Sequence, residues 1–177
     1  MSRTLRMAVL LVSIIAFAAS SENDKDSAYI NKLLAIAKTN AAALQQDAQQ
    51  LESYTRSSGL DWQIHASKLE EMKKHVNQAG DLLRELRYGR QEASPWQKTA
   101  IDRITPILQE MAHSLQRTFD TLNQNQSRIH VSPYKDYAVA NAELANDLAQ
   151  MITDFMSYGR AKAKFEKLGE KLEISQR

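Results

Sequence analysis

From Ile30 onward the apolar residues fall three and four positions apart. Ile30, Leu34, Ala37, Ala41, Leu44, Ala48 and Leu51 form one stripe, with Lys38, Asn40, Gln45, Asp47 and Gln49 off it. That spacing is the signature of an amphipathic helix with a heptad seam. The small alanines in the seam permit a neighbouring helix to approach closely. After "SSGLD" a second stripe follows through Trp62, His65, Leu69, Met72, Val76, Ala79, Leu83 and Leu86. Asp61 stands where it can cap the new helix.

"SPWQ", Ser94 to Gln97, combines a serine N-cap, proline at the first helical position and glutamine placed for a capping box. The helix starting there carries Ile101, Ile104, Leu108, Met111, Leu115 and Leu122, flanked by Ile107 and Phe119. Pro106 removes one backbone hydrogen bond, so a bend is expected near Asp102 to Pro106. A polar connection, "NQNQSRIHVSPYKDY", leads to a second serine-proline start at Ser132 and Pro133. The fourth stripe reads Tyr137, Leu144, Leu148, Met151, Phe155 and Tyr158, and Gly159 is placed to kink or end the helix.

These elements predict helices over about 27–57, 61–90, 95–124 and 133–159, followed by an amphipathic basic tail over 160–177. Helices of about 30 residues are about 45 Å long, and short connections between equal helices favour antiparallel neighbours. The expected fold is all-α: an antiparallel up-down-up-down four-helix bundle whose C-terminal tail either extends or folds back. The same stripes would also serve a long coiled coil or a helical dimer.

The first residues do not belong to this pattern. Arg3 and Arg6 precede an apolar run from Met7 to Ala19, and Ala16-Phe17-Ala18 offers small residues for cleavage. This is the layout of a secretory signal, expected to be cleaved after residue 18. The 13-residue run is short of the roughly 20 residues a membrane span needs, although an uncleaved anchor is the alternative. Residues 19–26 read as a disordered lead-in.

Removing the leader changes the charge. The whole chain has 23 Lys and Arg against 21 Asp and Glu, and without Arg3 and Arg6 the balance is 21 against 21. A neutral exported chain with mixed signs gives no reason to expect nucleic-acid binding. The absence of cysteine excludes disulfides, thiolate metal sites and covalent haem attachment. A core of this size can stand without such staples.

Three residues of the second helix, His65, Met72 and His75, are of types that bind metal or haem. His65 and Met72 lie about 10.5 Å apart along the axis, too far to share an ion with bonds of about 2 Å. His75 falls beside the stripe next to Lys74, where solvation is expected. A haem ligand set could be drawn from several helices, but the layer expected around His65 holds Trp62, Tyr54, Phe119 and Tyr137, with no second histidine or methionine. A hydroxyl of Tyr54 or Tyr137 is expected to satisfy the imidazole.

"EMAH", Glu110 to His113, matches one half of a di-iron ligand motif, but Met111 takes the core position and turns Glu110 and His113 outward. Glu70 and Glu71, beside Lys73 and Lys74, read as solvating charges. No strand-turn-helix serine motif and no phosphate loop occur, so no catalytic residue is assigned and no cofactor or metal is expected.

Two regions remain as candidate interaction surfaces. One is the connection carrying Arg128, His130, Tyr134 and Lys135. The other is the tail, with Phe165, Leu168 and Leu172 on one stripe, which would be uncovered if the helix overhangs its neighbours. The chain thus reads as an exported protein, periplasmic or secreted, of interaction or structural type. Its partner would be another protein or a second copy, and no membrane span remains after cleavage. The competing reading is a periplasmic bundle that binds b-type haem or a metal, with His65 and Met72 as weak candidate ligands.

Overall fold

A computed structural model describes residues 26–57 and 59–173. The leader, its cleavage point, most of the lead-in and residues 174–177 lie outside the described residues. The rest is a four-helix bundle, with α1 (Ala28–Tyr54), α2 (Trp62–Tyr88), α3 (Pro95–Gln124) and α4 (Tyr134–Lys171). Short 3₁₀ turns over Gly89–Glu92 and Gln126–Arg128 lie in two of the connections. Each helix packs against its sequence neighbours, and α4 closes back onto α1.

Cross-helix bonds give the direction of each pairing. Between α1 and α2, Tyr29 meets Glu85, Asn40 meets Gln78 and Asp47 meets Lys68. Between α1 and α4, Gln45 bonds Asn146 at 2.8 Å, near one end Asp26 meets Lys162, and near the other Thr55 meets His130. Partner numbers fall as the first residue's number rises, so both pairs run antiparallel.

The stripes of α1, α2 and α3 are buried as expected, apart from Trp62 and Ala79, which are half-buried. Asp47, placed off the α1 stripe by its spacing, is also buried. Ser27 caps α1 by accepting a hydrogen bond from Ile30 N, and Asp61 occupies the N-cap of α2 without making a side-chain capping bond. α3 continues unbroken across Pro106. Pro106 and Asp102 are both exposed, so the carbonyl freed by the proline is on the wet side of the helix.

α4 departs from the expected pattern in phase and in length. Its core face is Tyr134, Ala138, Asn141, Ala142, Ala145, Leu148, Ala149 and Ile152. Of the expected stripe only Leu148 is buried; Tyr137, Leu144, Met151 and Phe155 are half-buried and Tyr158 is exposed. Close approach explains the choice. α1 presents Ala37, Ala41 and Ala48, α4 presents its own alanines, and short side chains let two backbones come together while bulkier residues move to the flank.

Gly159 does not end α4. It is buried under the Trp96 ring, and a Cβ there would lie 2.6 Å from Trp96 Cζ2, so the helix passes beneath the indole only because the side chain is absent. α4 therefore runs 38 residues, and the boundary expected at residue 159 is replaced by one continuous helix. Its last turns project beyond the N-termini of α1 and α3. Pro133, in a cis bond to Ser132, stands at the N-cap of α4 in place of the serine cap that "SPYK" suggested. No described helix is long and apolar enough to cross a membrane.

Candidate functional site

At the bundle end formed by the α1–α2 and α3–α4 connections, His65 is fully buried. Its Nδ1 lies 3.1 Å from the hydroxyl of Tyr134, also buried. The partner is thus a tyrosine, but neither Tyr54 nor Tyr137. Tyr54 meets the imidazole edge-on, with ring centroids 5.8 Å apart. Tyr137 is on the flank of α4, beneath the Arg117 guanidinium at 5.7 Å, and Phe119 lies beneath Lys73 at 5.3 Å. The one-turn difference follows from the rotated core face of α4, which brings position 134 inward and carries 137 away.

The layer also contains a histidine the sequence did not place there. The connection before α4 folds back so that Ile129 is buried and His130 is half-buried. His130 Nδ1 lies 3.2 Å from the carbonyl of Thr55, and its ring centroid is 6.2 Å from that of His65. Burial, with a smaller contribution from the neighbouring His130, pushes the His65 pKa down to about 4, so the ring is neutral at ordinary pH. Burial raises the Tyr134 phenol. His65 Nε2 finds no hydrogen-bonding partner among the described residues.

Met72 is fully buried in the core, two turns from His65. His75 is not the solvated side chain expected: it is half-buried, and its Nδ1 lies 2.9 Å from Asp47 Oδ2. The other Asp47 oxygen accepts from Lys68 Nζ at 3.1 Å, and Lys68 also bonds Glu71. Burial opposes the charge on Lys68, but these hydrogen bonds outweigh it and raise the ammonium pKa. Asp47 is shared by two partners on α2, which accounts for its burial on the α1 face. Among the described residues no three His, Asp or Glu side chains converge as a metal site. Glu110 and His113 are exposed, and Glu110 pairs with Arg117 at 2.9 Å.

The four residues of the connection divide. Arg128 and Lys135 are exposed, whereas His130 and Tyr134 turn inward to close the bundle end, so these two do not form a surface with the others. The tail residues face outward: Phe165 is 68%, Leu168 47% and Leu172 62% exposed. Upstream on α4, a groove of about 490 Å³ against α3 is lined by Ile107, Met151, Phe155 and Tyr158, with Asp147 and Asp154 among its polar residues.

Gln97, read from sequence as a cap, does more. Its Oε1 accepts from Ser94 N and Ser27 N, both at 3.0 Å, and its Nε2 donates to Ser27 O at 3.0 Å and Asn31 Oδ1 at 2.9 Å. Beside it Trp96 Nε1 donates to Asp26 Oδ1 at 2.7 Å, and Lys162 Nζ lies 3.4 Å from the same oxygen. Asp26 is therefore held in place, contrary to the expected disorder at that position. No family model, curated protein or solved structure matches the chain.

Proposed function

We propose that the protein is exported and acts by binding a partner rather than by catalysis, with the α4 overhang as its recognition surface. The observation that carries this reading is the apolar stripe of Phe165, Leu168 and Leu172, left uncovered at the end of a helix that continues past the bundle. Exposed apolar side chains in register on a projecting helix mark a contact surface. The leader pattern supports export, and Asp47, His75 and Lys68 are accounted for as a polar tie between α1 and α2.

The cysteine-free sequence supplies the test. Single substitutions Phe165→Cys and, on the exposed surface of α3, Gln109→Cys are treated in whole cells with a membrane-impermeant maleimide. Labelling of Gln109→Cys with protection of Phe165→Cys is expected. Equal labelling at both positions would remove the overhang as a contact surface, and no labelling at either would remove export.

A cofactor-binding bundle has one observation in its favour: the buried His65 Nε2 without a partner among the described residues, with His130 alongside. A Soret band or stoichiometric metal in the purified protein would establish that reading. A colourless, metal-free bundle would remove it.

A further inference from the structure

Six of the apolar residues that α4 leaves half-buried or exposed follow a strict period. Tyr137, Leu144, Met151, Tyr158, Phe165 and Leu172 are each seven residues apart. On a straight helix such a repeat drifts by only about 20° per step, so the groove residues and the tail stripe belong to one face. α3 lines that face at the groove through Ile107. Beyond Tyr158 the stripe continues without cover, since Phe165, Leu168 and Leu172 are all exposed. A sustained seven-residue repeat is the pattern of a helix that winds along another helix.

Charge is divided along the same helix. From Asp136 to Gly159 there are four acidic residues, Asp136, Glu143, Asp147 and Asp154, and no basic one. From Arg160 to Lys171 there are five basic residues against two acidic. Side by side in parallel, two such helices would set Lys164 against Lys164 and Lys171 against Lys171. Antiparallel, the basic half of each meets the acidic half of the other. The lengths also agree: the overhang from Arg160 to Lys171 and the groove from Asp147 to Tyr158 each span about 18 Å at 1.5 Å per residue.

We infer that the overhang docks on a second copy of this chain, the two α4 helices lying antiparallel about a twofold axis near Tyr158. Phe165, Leu168 and Leu172 of each copy then seat in the other's α3–α4 groove, and Lys164 and Lys171 face the carboxylates of Asp147 and Asp154, which line it together with Arg103. Such an interface is self-complementary and closes at two copies. A lipid surface fits the tail less well, because Glu166, Glu170 and Glu173 are interleaved with its lysines, whereas a membrane-bound helix presents a predominantly cationic polar face.

This inference rests on the overhang being a contact surface, and the experiment separates the two. Sedimentation equilibrium of the purified protein is expected to give twice the mass of its single chain. Combined Phe165→Lys and Leu172→Lys substitution is expected to give a folded monomer, with helical circular dichroism unchanged and a thermal midpoint that no longer depends on protein concentration. Lys164→Glu with Lys171→Glu weakens the dimer at least tenfold, and adding Asp147→Lys with Asp154→Lys restores it. Under mild oxidation the Tyr158→Cys variant forms a disulfide-linked dimer, while the Phe165→Cys variant does not.

Cross-linking of Phe165→Cys in place of Tyr158→Cys would overturn the antiparallel arrangement. A chain monomeric at all concentrations would overturn the inference, as would a monomer that sediments with anionic phospholipid vesicles. If the monomer's overhang is still protected from maleimide in cells, the contact-surface reading stands and only the second copy is lost. If it is freely labelled, both fall.

Discussion

Where α1 begins, the bundle is closed by Gln97, whose amide donates twice and accepts twice and leaves no polar atom of its side chain unused. At the opposite end the corresponding buried polar side chain is His65, bonded through one nitrogen to Tyr134 and through the other to no described residue. Both residues are completely buried. An amide has a fixed donor and acceptor set at every ordinary pH, whereas an imidazole can take a proton, so of these two side chains only His65 couples burial to acidity. The comparison shows two ways of burying a polar side chain at a bundle end, one insensitive to pH and the other not.

The largest effect is expected from breaking the satisfied end. Gln97→Leu keeps the volume but strips the partners from buried Ser94 and from half-buried Ser27 and Asn31, and leaving these groups unpaired costs about 3–4 kcal/mol. The loss would be seen in chemical denaturation. Hydrogen exchange should quicken first at the start of α1, because Gln97 holds that segment to α3.

The His65 end is tested by pH. The folded pKa of about 4 lies below the unfolded value of about 6.5. The neutral ring's contribution is therefore complete above pH 6.5 and is lost as pH falls from there towards about 4. Over that window the wild type should lose up to about 3 kcal/mol more than a His65→Phe variant, which has no proton to take up. Equal losses in both proteins would place the acid sensitivity elsewhere.

A smaller effect is expected where Gly159 passes Trp96. Gly159→Ala puts a methyl group into the indole, and overpacking of this kind costs about 2 kcal/mol. Trp96 fluorescence should shift as the ring is displaced from Asp26, and adding Trp96→Leu should recover part of the loss. The smallest change is Tyr134→Phe. It leaves His65 without its hydroxyl partner and should cost about 1–2 kcal/mol, with little change in helix content.

How much of this was legible in the sequence depended on the size of the residues that carry each contact. The faces of α1, α2 and α3 are marked by Leu, Ile and Met at helical spacing, and the pattern alone places most of them inside. α4 misleads because its bulkiest residues are not its core. Hydrophobic patterning weighs Leu144, Met151 and Phe155 above Ala138, Ala142 and Ala145, while close packing against α1 selects the alanines. The same rotation hid Tyr134 as the partner of His65. His130 was hidden for a different reason: it is carried in by a connection, and periodicity does not describe how a connection folds back.

Gln97 shows the limit from the other side. Its local role as a cap could be read from four consecutive residues, but its bonds to Ser27 and Asn31 cross 70 and 66 positions of chain. The overhang's apolar stripe was readable and its exposure was not, since that depends on where α1 and α3 begin beside it.

The pairing of α1 with α4 has a consequence for how the chain acquires its structure. The two alanine faces that come closest belong to the first and last helices, so Gln45 waits for Asn146, 101 residues later, before it has its partner. Joining the chain's ends in this way incurs the largest loop-closure cost of any helix pair in the bundle. α2 and α3 can zip together beforehand, but α1 lacks one of its two neighbouring helices until α4 arrives. A chain still being made therefore cannot lock into the finished bundle, and the last helix to emerge is the one that completes it.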